Sequence, residues 1–214
     1  YYRYIARKNK RWNIWFNFGA APDNNVNQAS GGDECITNEF GVFCRELPKP
    51  EKAIGYNFLL GGNYEFILSD NWRWKSEANI YSNIYDKSKF DDLYLSLATG
   101  PRYIWEQGDI WVSGIANRRW YGWERYNWSG GGKIDIHYDW TRKLSSGLSL
   151  RILDNIYDEY GDYMDGQTYG VAPYISYSID STKYLVMRGG VNRDTANKDV
   201  YANWRYTSGI GFGS

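Results

Sequence analysis

From Ile54 onward the chain alternates between apolar and polar positions. Ile54, Tyr56, Phe58, Leu60, Gly62, Tyr64, Phe66 and Leu68 occupy the even positions, and Asn57, Gly61, Asn63, Glu65 and Ser69 stand among the odd ones. After Asp70 and Asn71 the beat resumes, with Trp72, Trp74, Ala78, Ile80 and Ile84 set against Arg73, Lys75, Glu77, Asn79 and Asn83. It returns at Leu93, Leu95, Leu97, Tyr103 and Trp105, at Ile134, Ile136, Tyr138 and Trp140, and at Tyr169, Val171, Ile175, Tyr177 and Ile179. A last run carries Val200, Ala202, Trp204, Tyr206, Ile210 and Phe212. Alternation of period two is the signature of a strand with one apolar face. The pattern predicts eleven strands, near 1–8, 12–29, 54–69, 72–84, 92–106, 109–118, 127–142, 147–157, 168–180, 183–192 and 199–213.

Two architectures use such strands. A soluble sandwich buries its apolar faces between sheets whose strands typically run about 5–6 residues. Here the runs reach about 12 to 16 residues. Their polar face carries Arg73, Lys75, Glu77, Arg102, Lys133, Asp135, His137, Asp139, Arg151 and Arg205. A transmembrane barrel asks for strands of about 9–11 tilted residues, an apolar outer band edged by aromatics, and a polar interior. Trp72/Trp74 and Tyr138/Trp140 supply the aromatic edges. The expected fold is therefore all-β, a transmembrane antiparallel β-barrel of the outer-membrane type, with the named charges facing its lumen.

Connection lengths agree. Short links fall near 8–11, 70–71, 106–109, 142–146 and 180–183, and longer ones near 30–53, 85–91, 118–127, 157–168 and 192–199. Barrels of this kind have short periplasmic turns and long external loops. That places the 30–53 loop outside and sends the strand near 54–69 inward. Eleven is odd, whereas bacterial single-chain barrels close with even numbers. The expectation is a single barrel domain over 1–214 that lacks one strand before Tyr1 and two after Ser214, for fourteen in all.

Composition sharpens this. Lys+Arg and Asp+Glu number 25 each, so no net field draws nucleic acid or an anionic surface. Eleven Trp and 21 Tyr are an excess of the side chains that concentrate where apolar and aqueous phases meet. A membrane-spanning helix needs roughly 20 apolar residues in a row, and the sequence offers no such run. Cys35 and Cys44 are the two cysteines. A disulfide closing a small loop in an oxidising compartment is the preferred reading, against two unrelated thiols. A zinc site needs four ligands, and His137 is the one histidine.

Several motifs carry competing readings. Gly130-Gly131-Gly132, Gly61-Gly62 and Gly189-Gly190 lack the strand–loop–helix setting of a phosphate cradle and suit bends or close backbone approach. Asp135, His137 and Asp139 share one strand face, so an imidazole flanked by carboxylates invites a hydrolytic reading. A lumen charge ladder balanced by Lys133 and Arg151 is preferred. Asp154, Asp158, Glu159, Asp162 and Asp165 lie in one acidic run without EF-hand spacing, and a solvated loop is expected there. Arg118, Arg119 and Arg125 among aromatics fit lipid-headgroup or lipopolysaccharide contact at the outer rim as well as ordinary girdle packing.

Residues 12–30 hold a strand rich in Trp and Phe (Trp12, Trp15, Phe16, Phe18) that leads into G-A-A-P-D-N-N-V-N-Q-A-S. This stretch resembles the start of the carboxy-terminal barrel of the surface lipoprotein assembly modulators, the Slam proteins. The likeness is carried by Gly19, Ala21, Pro22, Asp23, Asn25, Val26, Asn27 and Ala29. The periplasmic repeat domain that precedes the barrel in that family is not in this chain. The resemblance implies an outer-membrane translocator that delivers lipoproteins, or related secreted proteins, to the bacterial surface, with outer-membrane lipids, lipopolysaccharide and periplasmic chaperones as further partners. It implies no catalysis and no cofactor. Pro22, Asp23, Asn24, Asn25 and Asn27 are then candidates for presenting polar groups to an incoming client strand, against the plainer reading that they end a strand and brace the outer loop. A porin-like channel and, more weakly, a barrel enzyme are the alternatives from other classes.

Overall fold

The computed structural model describes residues 11–27, 33–38, 41–46 and 49–213. Ten long strands form one antiparallel sheet in simple neighbour order: β1 (Trp12–Asp23), β4 (Ala53–Ile67), β5 (Trp72–Tyr85), β6 (Asp92–Trp105), β7 (Gly108–Tyr121), β8 (Glu124–Asp139), β9 (Leu144–Tyr157), β10 (Gly166–Ser178), β11 (Tyr184–Asp194) and β12 (Asn203–Gly213). Between β1 and β4 lies a separate hairpin, β2 (Asp33–Asn38) and β3 (Gly41–Glu46), whose register sets Cys35 opposite Cys44. The expected strand at 1–8 lies outside the described residues.

The sheet is inverted relative to a soluble protein. One face exposes Trp12, Ile14, Phe16 and Phe18 on β1 and Ile54, Tyr56, Tyr64 and Phe66 on β4. The other buries Glu65 and Arg73 to 4% exposure each, with Asp109, Asn117 and Ser129. Alternation alone cannot say which face turns outward; curvature does. A single cavity touches side chains from β1, β4, β5, β6, β7, β8, β9 and β10. A flat sheet would hold β1 and β10 roughly 34 Å apart at the usual strand spacing. The sheet therefore curls with its polar face inside, a half-barrel of the outer-membrane type. Rings clip neighbouring strands on the convex face: Phe16 meets Phe58 edge-on at 5.3 Å, and Trp72 meets Tyr103 at 5.0 Å. Among the described residues no helix is long and apolar enough to cross a membrane.

A shallow depression of about 970 Å³ interrupts the convex wall where Gly62, Ala78, Gly114 and Ala116 bring small side chains together between Tyr64 and Leu97. On the concave side β8 and β9 approach closely at Gly131. A Cβ on Gly131 would stand 2.1 Å from the Ile152 carbonyl oxygen, so only glycine permits that approach.

Short and long connections alternate as expected, with one correction. The 118–127 segment is not a loop. β7 continues to Tyr121 and β8 begins at Glu124, joined by Gly122 and Trp123 alone. Both have positive φ, 59° and 68°, which is the backbone of a type I′ turn, whose twist matches that of the strands. Two smaller shifts follow from local bonds. β1 stops at Asp23 rather than near residue 29, because Asp23 Oδ1 accepts the Asn25 N–H at 2.8 Å and turns the chain. β12 starts at Asn203, since Asp199–Tyr201 closes a 3-10 turn.

Candidate functional site

The strand registers carry every sequence-predicted lumen charge onto the concave face. Toward the short-turn end these side chains form a network. Arg102 donates from Nη1 to Glu65 Oε1 at 2.6 Å and from Nε to Asp109 Oδ1 at 3.0 Å. Lys75 lies 3.9 Å from the Trp111 ring centroid and 3.4 Å from Glu77, while Lys133 reaches the same ring at 5.3 Å and Asp135 at 2.8 Å. Arg73 donates to the Trp72 and Ser69 carbonyls. Cations pair because burial would otherwise cost several kcal/mol per ion. Around this network sits a cavity of about 480 Å³, lined by the carboxylates Glu65, Glu77, Asp109 and Asp135 and the cations Lys75, Arg102 and Lys133.

The rest of the charge set is spread out. Arg151 donates to Asn192 Oδ1 at 2.8 Å, and Arg205 pairs with Asp194 at 2.9 Å, well away from that cavity on β9, β11 and β12. Both halves line a common trough whose second cavity, about 590 Å³, holds Lys133, Arg151, Tyr94 and Asn117. His137 is not flanked by two free carboxylates. Its Nε2 lies 3.2 Å from Asp139 Oδ1 and its Nδ1 2.7 Å from Tyr174 Oη, while Asp135 is held by Lys133. Of the two cations expected to balance these acids, Lys133 pairs with Asp135 and Arg151 bonds Asn192 instead.

The Pro22–Asn27 motif occupies the long-loop rim, where it is bonded into the chain. Asn27 Oδ1 accepts the Glu51 N–H at 2.9 Å and its Nδ2 donates to the Lys49 carbonyl at 2.8 Å, so the side-chain amide mimics a peptide group and extends the sheet. The Val26 N–H adds a bond to the Glu51 carbonyl at 2.9 Å. Val26 itself packs with Ala53 and Phe90 against Tyr85 and Tyr121 in a small core. Pro22 and Asn24 line a cleft with Lys52 and Ile54.

Three residues central to the rim gave no signal in the sequence. Asp91 accepts the Tyr85 N–H on Oδ1 and the Trp123 indole N–H on Oδ2, both at 2.7 Å, and its carbonyl takes the Gly122 N–H at 2.7 Å. Glu51 receives Lys87 and Lys89, each at 2.9 Å. Those two ammonium groups hold its carboxyl below the usual glutamate range. Asp92 takes both nitrogens of the Arg119 fork at 2.8 and 2.9 Å. In the short turn at 179–183, Asp180 accepts the Thr182 and Lys183 N–H groups at 2.8 Å each, which lowers its pKa likewise. On the concave face Trp111, 2% exposed, was also missed, because a lone aromatic among polar positions does not disturb a period-two pattern.

Compared with known proteins, residues 12–213 match the family described as "Surface lipoprotein assembly modifier". One relative, Surface lipoprotein assembly modifier 1 of Neisseria meningitidis serogroup B (strain ATCC BAA-335 / MC58), is 22% identical over 134 residues, 62% of this chain and 26% of that protein. The matched stretch thus spans about a quarter of the relative's length. No solved structure matches the chain.

Proposed function

Because the chain belongs to the surface lipoprotein assembly modifier family, we propose that it is the membrane-embedded part of an outer-membrane translocator that delivers lipoproteins to the bacterial surface. The observation that carries this reading is the inverted sheet: ten strands expose an apolar, ring-edged face and enclose a mixed-charge trough. The apolar face suits hydrocarbon and the trough suits a hydrated polypeptide. A passing chain offers both signs of charge and both donors and acceptors, so a surface with paired charges can hold it briefly without trapping it. The long-loop rim, braced by Asn27, Glu51 and Asp91, faces outside on this reading, with lipids and lipopolysaccharide against the girdle. Periplasmic chaperones supply the client from the short-turn side.

The test is surface display. Cells producing the full-length protein with a lipoprotein partner should expose that lipoprotein to antibody and to external protease, and cells lacking it should not. Equal exposure in both strains would remove the proposal. A porin-like channel predicts steady open-pore conductance in planar bilayers with no effect on display.

A further inference from the structure

Glu65 is 4% exposed and lines the smaller cavity, yet only one of its two oxygens is satisfied. Oε1 takes Arg102, and Oε2 meets no hydrogen-bond donor among the described residues. Its cross-strand partner is Lys75, whose ammonium instead lies over Trp111 and beside Glu77. A buried, unpartnered carboxylate oxygen is costly. Two amide side chains line the same cavity. Asn63 precedes Glu65 by two on the same face of β4, and Asn13 is its register partner on β1. Both line the cavity, and neither side chain makes a bond among the described residues. Formal charge around the cavity is four carboxylates against three cations.

The geometry points to a binding site for a primary ammonium, presented by a lysine side chain of a client polypeptide. An ammonium is a point charge with three rotatable donors, which matches three acceptors: Glu65 Oε2 and the amide oxygens of Asn63 and Asn13. A guanidinium does not match, because its fork seeks both oxygens of a carboxylate and Arg102 already holds Oε1. The inference rests on the proposed passage of a polypeptide through the trough. It would make the short-turn end a station where lysines pause beside the Trp111 network.

The experiment measures fluorescence anisotropy of a labelled Gly/Ser peptide carrying lysines, titrated with the full-length protein in detergent micelles. Acetylating the lysines should weaken binding roughly ten- to a hundredfold, the worth of a charge-assisted hydrogen bond. Glu65→Gln should weaken it similarly, and Arg102 keeps Asp109 in that variant. Asn63→Ala should cost roughly two- to tenfold, and it serves as the deciding variant if Glu65→Gln fails to insert. Replacing lysine by arginine should weaken binding too. Equal binding of the acetylated peptide, no binding of the lysine peptide, or tighter binding of the arginine peptide would overturn the inference. So would displacement of the peptide by calcium chloride in a Glu65-dependent manner, which would make this a metal site. Surface display is scored separately: a client displayed normally while the lysine peptide fails to bind sinks the ammonium site alone, and the reverse sinks translocation alone.

Discussion

Gly131 and Gly132 are chain neighbours on β8, and the same substitution should move stability in opposite directions at the two. A Cβ at Gly131 would stand 2.1 Å from the Ile152 carbonyl oxygen and 2.9 Å from Leu153 Cα. Those are backbone atoms of β9 and cannot swing aside, so the two strands would have to part. Overpacking of that kind costs about 1–3 kcal/mol. A Cβ at Gly132 meets nothing closer than the Ser113 carbonyl at 4.0 Å, and replacing glycine there restricts the unfolded chain, a gain of about 0.4–1 kcal/mol. Gly131→Ala and Gly132→Ala should therefore differ by about 1.5–4 kcal/mol. Guanidinium unfolding in detergent micelles, followed by tryptophan fluorescence, reads the difference as a displaced midpoint. Coincident midpoints would refute the close approach of β9 backbone at Gly131.

Arg102→Ala should destabilise by about 3–5 kcal/mol, since it removes a buried cation that pairs with Glu65 and Asp109, whereas Arg205→Ala, whose side chain is 60% exposed, should cost under about 1 kcal/mol; the same unfolding assay compares them. Glu51 contributes stability that is present above the ordinary glutamate range and lost as pH falls through its depressed folded value. Amide exchange near 49–53 and 86–91 should therefore accelerate in acid relative to exchange in the strand centres, and unchanged relative protection at pH 3 would count against the clamp. Directly opposed cross-strand positions lie within bridging distance, so Cys35 and Cys44 should resist maleimide until reduced; immediate labelling of both would rule out the disulfide.

How far the sequence could be read follows from what each feature depends on. Which residues share a face was legible because it needs only parity: once Ile54 and Tyr56 share a face, so do Phe66 and Tyr64, and Glu65 must oppose them. The lumen charges inherited their placement from the same rule. The Gly122–Trp123 turn was not legible. Tryptophan is a poor turn residue with positive φ, and what holds it there is Asp91, 32 positions away. Arginines and aromatics at 117–128 therefore looked like a loop, although Arg119 and Tyr121 are strand residues that continue β7. The division of labour within the lumen was also hidden. The register sets Glu65 opposite Lys75, yet the side chains send Arg102 to both Glu65 and Asp109 while Lys75 turns to Trp111.

The depression in the convex wall has a mechanical consequence. Elsewhere, stacked and edge-on rings resist sliding between adjacent strands. Gly114 and Gly132, direct partners across β7 and β8, bring no side chain to that face, so at this point of the seam sliding is opposed by peptide-to-peptide bonds and by concave-side contacts such as Asn117 with Ser129 and Lys133 over Trp111. A load dragging one strand past its neighbour is therefore resisted there from the concave face, which makes the stiffness of the sheet directional.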